Sequence, residues 1–170
     1  MPQSLRSVVA QEEAITASAV VTYDLPVNPL SFIQFVFRWQ DGAVIGNSSD
    51  AITAALSFLS KIEVLFRGQA IVSVSGADLW FMMQALTGWK PGIMNLVDAA
   101  AERHYLSMIL PCGRVPYHPA WAFPASRRGE LQLQMTYPAA VGVVDSPALI
   151  VETVELLDST PRNFLKYTTI

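Results

Sequence analysis

The sequence predicts an all-β protein: a single jelly-roll barrel or sandwich of about eight antiparallel strands with two short helices inserted between them. Three observations lead there. Most apolar residues recur with period two in runs bounded by glycine and proline, as half-buried strands do. Only 48–60 and 76–87 switch clearly to helical spacing. Finally, strand and helix never alternate in the rhythm that a parallel doubly wound sheet requires. At 170 residues the chain suits one domain, 1–170, with an N-terminal arm over 1–14 and an extended tail over 158–170.

The first strand is expected over Ile15–Tyr23, where Ala17, Ala19 and Val21 alternate with Thr16, Ser18 and Thr22. Asp24-Leu25-Pro26-Val27-Asn28-Pro29 breaks it, because each proline removes a ladder donor and restricts the residue before it. In Leu30–Trp39, Ile33, Phe35, Phe37 and Trp39 share one face; Phe32 and Val36 share the other, so both faces should be covered. Asp41-Gly42 and Gly46-Asn47 mark a loop. Over Ser48–Ser60, Ile52, Ala55, Leu56 and Leu59 form one helical stripe. Ser48 or Ser49 suits the cap, and Asp50 suits the positive end of the helix.

A hairpin follows: Ile62, Val64 and Phe66 alternate with Glu63, Leu65 and Arg67, and Gly68-Gln69 turns the chain into Ala70–Ser75. The second helix starts at Gly76 or Ala77 and ends at Thr87, with Leu79, Met82, Met83 and Leu86 on its stripe and Gly88 at the C-cap. Trp89-Lys90-Pro91-Gly92 reads as a turn, and Asp98–Arg103 as a short helical turn. His104–Leu110 is a strand that stops at Pro111-Cys112-Gly113. A loop rich in proline and aromatics carries Pro116, Tyr117, Pro119, Trp121, Phe123 and Pro124. Leu131, Leu133 and Met135 then alternate with Gln132, Gln134 and Thr136 until Pro138. Ala140–Val144 is expected as a short edge strand and Ala148–Leu157 as the last long one, while the tail has no clear period.

Composition narrows the function. Charged residues make up 15% of the chain and hydrophobic ones 52%, with a mean hydropathy of +0.35; an average soluble domain carries about 25% charged residues. A spanning helix needs about 18 mainly apolar residues in a row. Leu30–Trp39 is interrupted by Gln34 and Arg38, and Leu79–Trp89 is too short. Burial against other subunits is therefore the expected fate of the apolar surplus. A net charge of −3 with a pI near 5.3 argues against a phosphate-binding surface, hence no nucleic-acid partner. Arg127-Arg128 is read as a solvated turn. Cys112, the single cysteine, excludes an intramolecular disulfide and a cysteine-rich zinc site and fits a reducing compartment. Met1–Gln11 lacks the apolar run of a signal peptide.

The chain is poorly stocked for catalysis, and no enzyme activity, cofactor or small-molecule substrate is expected. Glu102 and His104 have a metal-like spacing, but further ligands are missing. Cys112 and His118 lack any nucleophile-activating pattern, and Gly68 and Gly76 form no phosphate loop. Glu152 and Glu155 fall on opposite faces of a strand. The Tyr117–Phe123 loop offers an alternative, a sugar-binding β-sandwich stacking rings on its aromatics, against the reading that Trp121 and Phe123 plug the barrel or meet a neighbour. Contact cores are depleted in charge and enriched in aromatics. That points to Trp80, Trp89, Trp121 and Phe123 as subunit contacts, with Arg162, Phe164 and Tyr167 docking the tail on a neighbour, against the reading that each completes the subunit's own core.

The order of elements, with a helix before the hairpin and another after it, resembles the major capsid proteins of tail-less icosahedral phages with an internal membrane. Ser73-Val74-Ser75-Gly76-Ala77-Asp78-Leu79-Trp80 is similar to their strand-to-helix step, and Thr160-Pro161-Arg162-Asn163-Phe164-Leu165-Lys166-Tyr167 to their extended C-terminal segments. The resemblance is to the smaller of the two single-jelly-roll capsid proteins of the Thermus phage group. It implies a jelly roll standing upright in a virion shell assembled in the host cytoplasm. It also implies self-association as a homodimer, a second major capsid protein as partner, lipid beneath the shell, and no catalytic residues.

Overall fold

Two five-stranded sheets form the sandwich in a computed structural model that describes residues 3–41, 48–94, 102–139 and 144–168. The strands are β1 (Ser4–Ala14), β2 (Val20–Asp24), β3 (Leu30–Asp41), β4 (Lys61–Phe66), β5 (Gln69–Val74), β6 (Gly92–Met94), β7 (Arg103–Pro111), β8 (Leu131–Thr136), β9 (Val144–Leu156) and β10 (Tyr167–Thr168). Helix α1 (Ser48–Phe58) joins β3 to β4, and α2 (Gly76–Thr87) lies between β5 and β6. One sheet has the order β1-β9-β3-β7-β6 and the other β10-β5-β4-β8-β2.

The pairing is nested. β1 pairs with β9, β2 with β8, β3 with β7 and β4 with β5, all antiparallel. The first half of the chain thus lies along the second, and the doubled ribbon wraps around the β4–β5 hairpin into two sheets. That is a jelly roll. It is all-β apart from the two inserted helices, as the period-two patterning predicts.

Differences lie mainly at the edges. The segment expected as a free arm, 1–14, contributes β1, paired along β9 with two register shifts. Only Ala10 of β1 is buried, which is why the strand shows no alternation. The strand expected from Ile15 begins at Val20, because Ser18 sits in a left-handed turn at φ 59°. β6 pairs Gly92, Ile93 and Met94 with β7, taking only Gly92 from the expected turn Trp89-Lys90-Pro91-Gly92. β9 starts four residues earlier than its alternation indicates, at Val144. Residues 140–143, most of the proposed edge strand, and 95–101, most of the proposed helical turn, lie outside the described residues, as do the side chains of Ser48, Ser49 and Asp50.

One hydrophobic cluster fills the sandwich. Ile33, Phe35, Phe37 and Trp39 of β3 share it with Leu106, Met108 and Leu110 of β7, Leu149 and Val151 of β9, and the apolar faces of β4, β5 and β8. Phe58 of α1 lies 5.8 Å from Phe37 and 6.0 Å from Tyr137, ring centre to ring centre, so α1 links the two sheets through one aromatic row. Helix α2 is held at both ends. Ser75 and Asp78 form a capping box, and Gly88 closes the helix at φ 71° with its N–H on the Gln84 carbonyl. At Gly76 a Cβ would stand 2.6 Å from the Leu56 carbonyl, so only glycine lets α2 begin against the end of α1. No helix among the described residues is long and apolar enough to cross a membrane.

Candidate interaction surface

Among the described residues, the types that could carry chemistry do not converge. Among the described residues no group of three His, Cys, Asp or Glu side chains could hold a metal. His104 is buried and stacked on Trp39 at 5.2 Å, which makes it part of the core. Cys112 is buried, and burial pushes its thiol up to about 12. His118, its imagined base, is exposed and accepts a hydrogen bond from the Ala120 N–H at 3.2 Å. Glu152 pairs with Arg6 at 3.1 Å, whereas Glu155 is buried and accepts from Asn28 at 2.7 Å and from the Ser7 hydroxyl. The two carboxylates serve different partners.

The aromatic loop and the tail hold one another on their own subunit. Phe123 is buried, its backbone exchanges two hydrogen bonds with Leu30, and its ring lies 4.7 Å from that of Phe164. Trp121 is half-buried, with the Arg114 guanidinium 5.9 Å from its ring centre and its backbone bridged to Asn163. Leu165 donates to the Cys112 carbonyl at 3.0 Å, and Tyr167 enters the second sheet beside Val72 of β5. Of the three residues expected to reach a neighbour, Phe164 and Tyr167 are half-buried here and Arg162 alone is exposed. Phe123 is likewise core, because the loop folds inward at Ala122-Phe123.

The remaining expected contacts lie near the outer face of the β1-β9-β3-β7-β6 sheet. Trp80 is half-buried against the core from α2, while Trp89, just beyond the helix, is 41% exposed. Trp89 and Tyr117 stand edge-on to the Phe32 ring at 5.9 and 5.4 Å. Together with Arg6, Gln34, Lys90, Ser107 and Ile109 they line an open recess of about 390 Å³. Tyr117 is 45% exposed and held by its N–H on the Ser31 hydroxyl at 2.7 Å. Phe81 on α2, 69% exposed, and Met94 on β6, 67% exposed, are among the exposed apolar residues that the sequence reading did not single out. Phe81 stands off the Leu79–Met83 stripe in an uncharged stretch, which is the signal that could have found it. Exposed aromatic side chains of this kind suit protein contact.

No family model matches the chain, and no curated protein matches it. Solved structures do. The STIV major capsid protein is similar over 90% of this chain and 48% of that one, with a TM-score of 0.67 and 13% identity. The PBCV-1 virus capsid matches over 92% of this chain and 42% of that one, TM-score 0.57 and 14% identity. The major capsid protein P2 from bacteriophage PM2 matches over 92% and 52%, TM-score 0.51 and 11% identity. At these identities the likeness is one of fold, and the chain spans about half the length of each.

Proposed function

We propose that this chain is a structural subunit of a viral capsid, a single jelly roll that self-associates in the shell of a virion and has no catalytic role. The observation that carries the reading is the fold itself. About nine-tenths of the chain matches capsid proteins of three different viruses in fold. The charge-poor composition and the exposed Phe81, Trp89 and Met94 support it, since they are costly on a lone monomer and ordinary at a buried contact. Because the matched chains are twice as long, a second copy or a second single-jelly-roll capsid protein would supply what their other half supplies. Co-assembly with such a protein over an internal membrane belongs to this proposal. It rests on the resemblance of the Ser73–Trp80 and Thr160–Tyr167 stretches to the Thermus phage proteins.

The sugar-binding alternative has little support from the geometry. Trp121 is engaged by Arg114 and by the tail, and Phe123 is buried. The test is electron microscopy of the full-length protein at rising concentration, alone and co-expressed with the capsid genes of its own virus. Regular sheets, rings or shells are expected. A protein that stays dispersed in both preparations would overturn the proposal.

A further inference from the structure

Resting on the capsid reading, we infer that the outer face of α2 is the contact by which one copy of this chain meets a second copy around a two-fold axis. A surface helix of a soluble protein normally buries one stripe and carries charge on the other. Helix α2 does not. Gly76, Leu79 and Met83 face the core, and the exposed stripe is Ala77, Phe81, Gln84, Ala85 and Gly88. Between residues 76 and 94 the only charged side chains are Asp78, engaged in the capping box, and Lys90 at the far end. A helix without a charged face is one that a partner covers.

Charge decides which partner. In an isologous contact, each group near the axis faces its own copy, so a charge there meets its like. A face free of charge suits that geometry, and the small Ala77 and Ala85 let two helices approach with Phe81 between them. On the helix itself a basic or acidic partner protein would find nothing to pair with; Arg6 and Lys90 lie only at the recess beside it. A lipid surface fits poorly as well, because helices that lie on membranes carry Lys and Arg along the polar side. The helix is only about 18 Å long, less than a stable dimer patch of about 800 Å² per partner needs. Exposed Trp89 extends it toward the recess beside Phe32 and Tyr117, and Met94 extends it along β6. The matched capsid chains, about twice this length, are consistent with two copies acting as a unit.

The experiment is sedimentation velocity on the full chain from about 1 to about 100 µM, with Phe81→Lys as the variant and circular dichroism as the check on folding. Wild type should sediment as a dimer, and two like charges at the axis should raise its Kd roughly 100-fold or more. As a second arm, Phe81→Cys with a short bismaleimide should trap a covalent dimer, since the native Cys112 is buried; Val20→Cys, exposed on β2 at the edge of the other sheet, should not. A wild type that is monomeric throughout overturns the inference, whether or not it floats with anionic vesicles. So does a Phe81→Lys protein with unchanged Kd, or a dimer that Phe81→Cys cannot trap. The capsid reading fails separately: a Phe81-dependent dimer that never enters particles would leave this contact standing and remove the capsid role.

Discussion

The Tyr167 hydroxyl donates to the Pro111 carbonyl at 3.0 Å, fastening the last strand of one sheet to the end of β7 in the other. Two residues earlier, Leu165 donates to the Cys112 carbonyl, and between them the Lys166 ammonium lies 5.3 Å from the centre of the Phe164 ring. The tail is thus a strap across one end of the sandwich, with Cys112 buried at its anchoring point.

Removing the strap should therefore unmask the thiol. With the tail cut before Thr160, Cys112 is expected to react with a thiol reagent at least about tenfold faster than in the intact chain, where reaction awaits local opening. Tyr167→Phe should cost about 1 kcal/mol by urea unfolding, the net worth of one hydrogen bond. Equal labelling rates in cut and intact chains would show that the strap does not shield this end.

Stability should fall in base. Burial pushes Cys112 up to about 12 and holds the hydroxyls of Tyr23, Tyr137 and Tyr167 above their usual value of about 10, with the Glu13 carboxylate adding to the rise at Tyr23. Groups with raised folded values keep protons that the unfolded chain releases. Their contribution is complete below about pH 9, the ordinary thiol value, and is lost as pH rises toward the folded values. The urea midpoint should drop steadily between about pH 9 and about pH 12, and Tyr167→Phe should flatten the drop. A midpoint independent of pH in that window would contradict it.

Gly113→Ala should be among the most damaging small changes in the molecule. The added Cβ would stand 2.2 Å from the Trp121 carbonyl oxygen and 2.7 Å from its carbon, both backbone atoms that cannot swing away. A loss of roughly 1–3 kcal/mol is expected, readable as a lower Tm with a changed tryptophan spectrum. Alanine at Gly92, where the nearest atom is the Ser107 Cβ at 3.4 Å, is the tolerated control.

Ser75→Ala removes the side chain that accepts from the Asp78 N–H at 3.1 Å and frees one half of the capping box. The expected cost is about 1 kcal/mol, and hydrogen exchange should speed up first in the opening turn of α2. Should exchange there stay unchanged, the box is not what holds the helix start.

How legible this molecule is depends on how each element meets the core. β3, the β4–β5 hairpin and β8 alternate cleanly because one face of each is fully buried. Helix α2 is readable down to Gly88 because its caps are local chemistry. β1 leaves almost no trace, being an edge strand with one buried residue, and β6 and β10 are too short for any period. The docking of Phe164 on Phe123 and of Tyr167 on Pro111 joins residues about 40 and about 56 positions apart, which no local pattern encodes. The same limit hid the destination of the aromatics. That Trp121 and Phe123 plug one end of the barrel is among the readings the sequence allows, but their partners in the tail are not. Phe81, by contrast, was within reach of the pattern, since the expected Leu79–Met83 stripe already leaves it on the opposite side of α2.

The proposed capsid role is tested most directly by quantitative mass spectrometry of virus particles purified from cells that make this chain. A major shell subunit predicts this 18.6 kDa chain among the most abundant virion proteins, in hundreds of copies per particle on the order expected of a lattice component, and resistant to washing with salt. Its absence from intact particles, or its presence in only a few copies, would contradict the account.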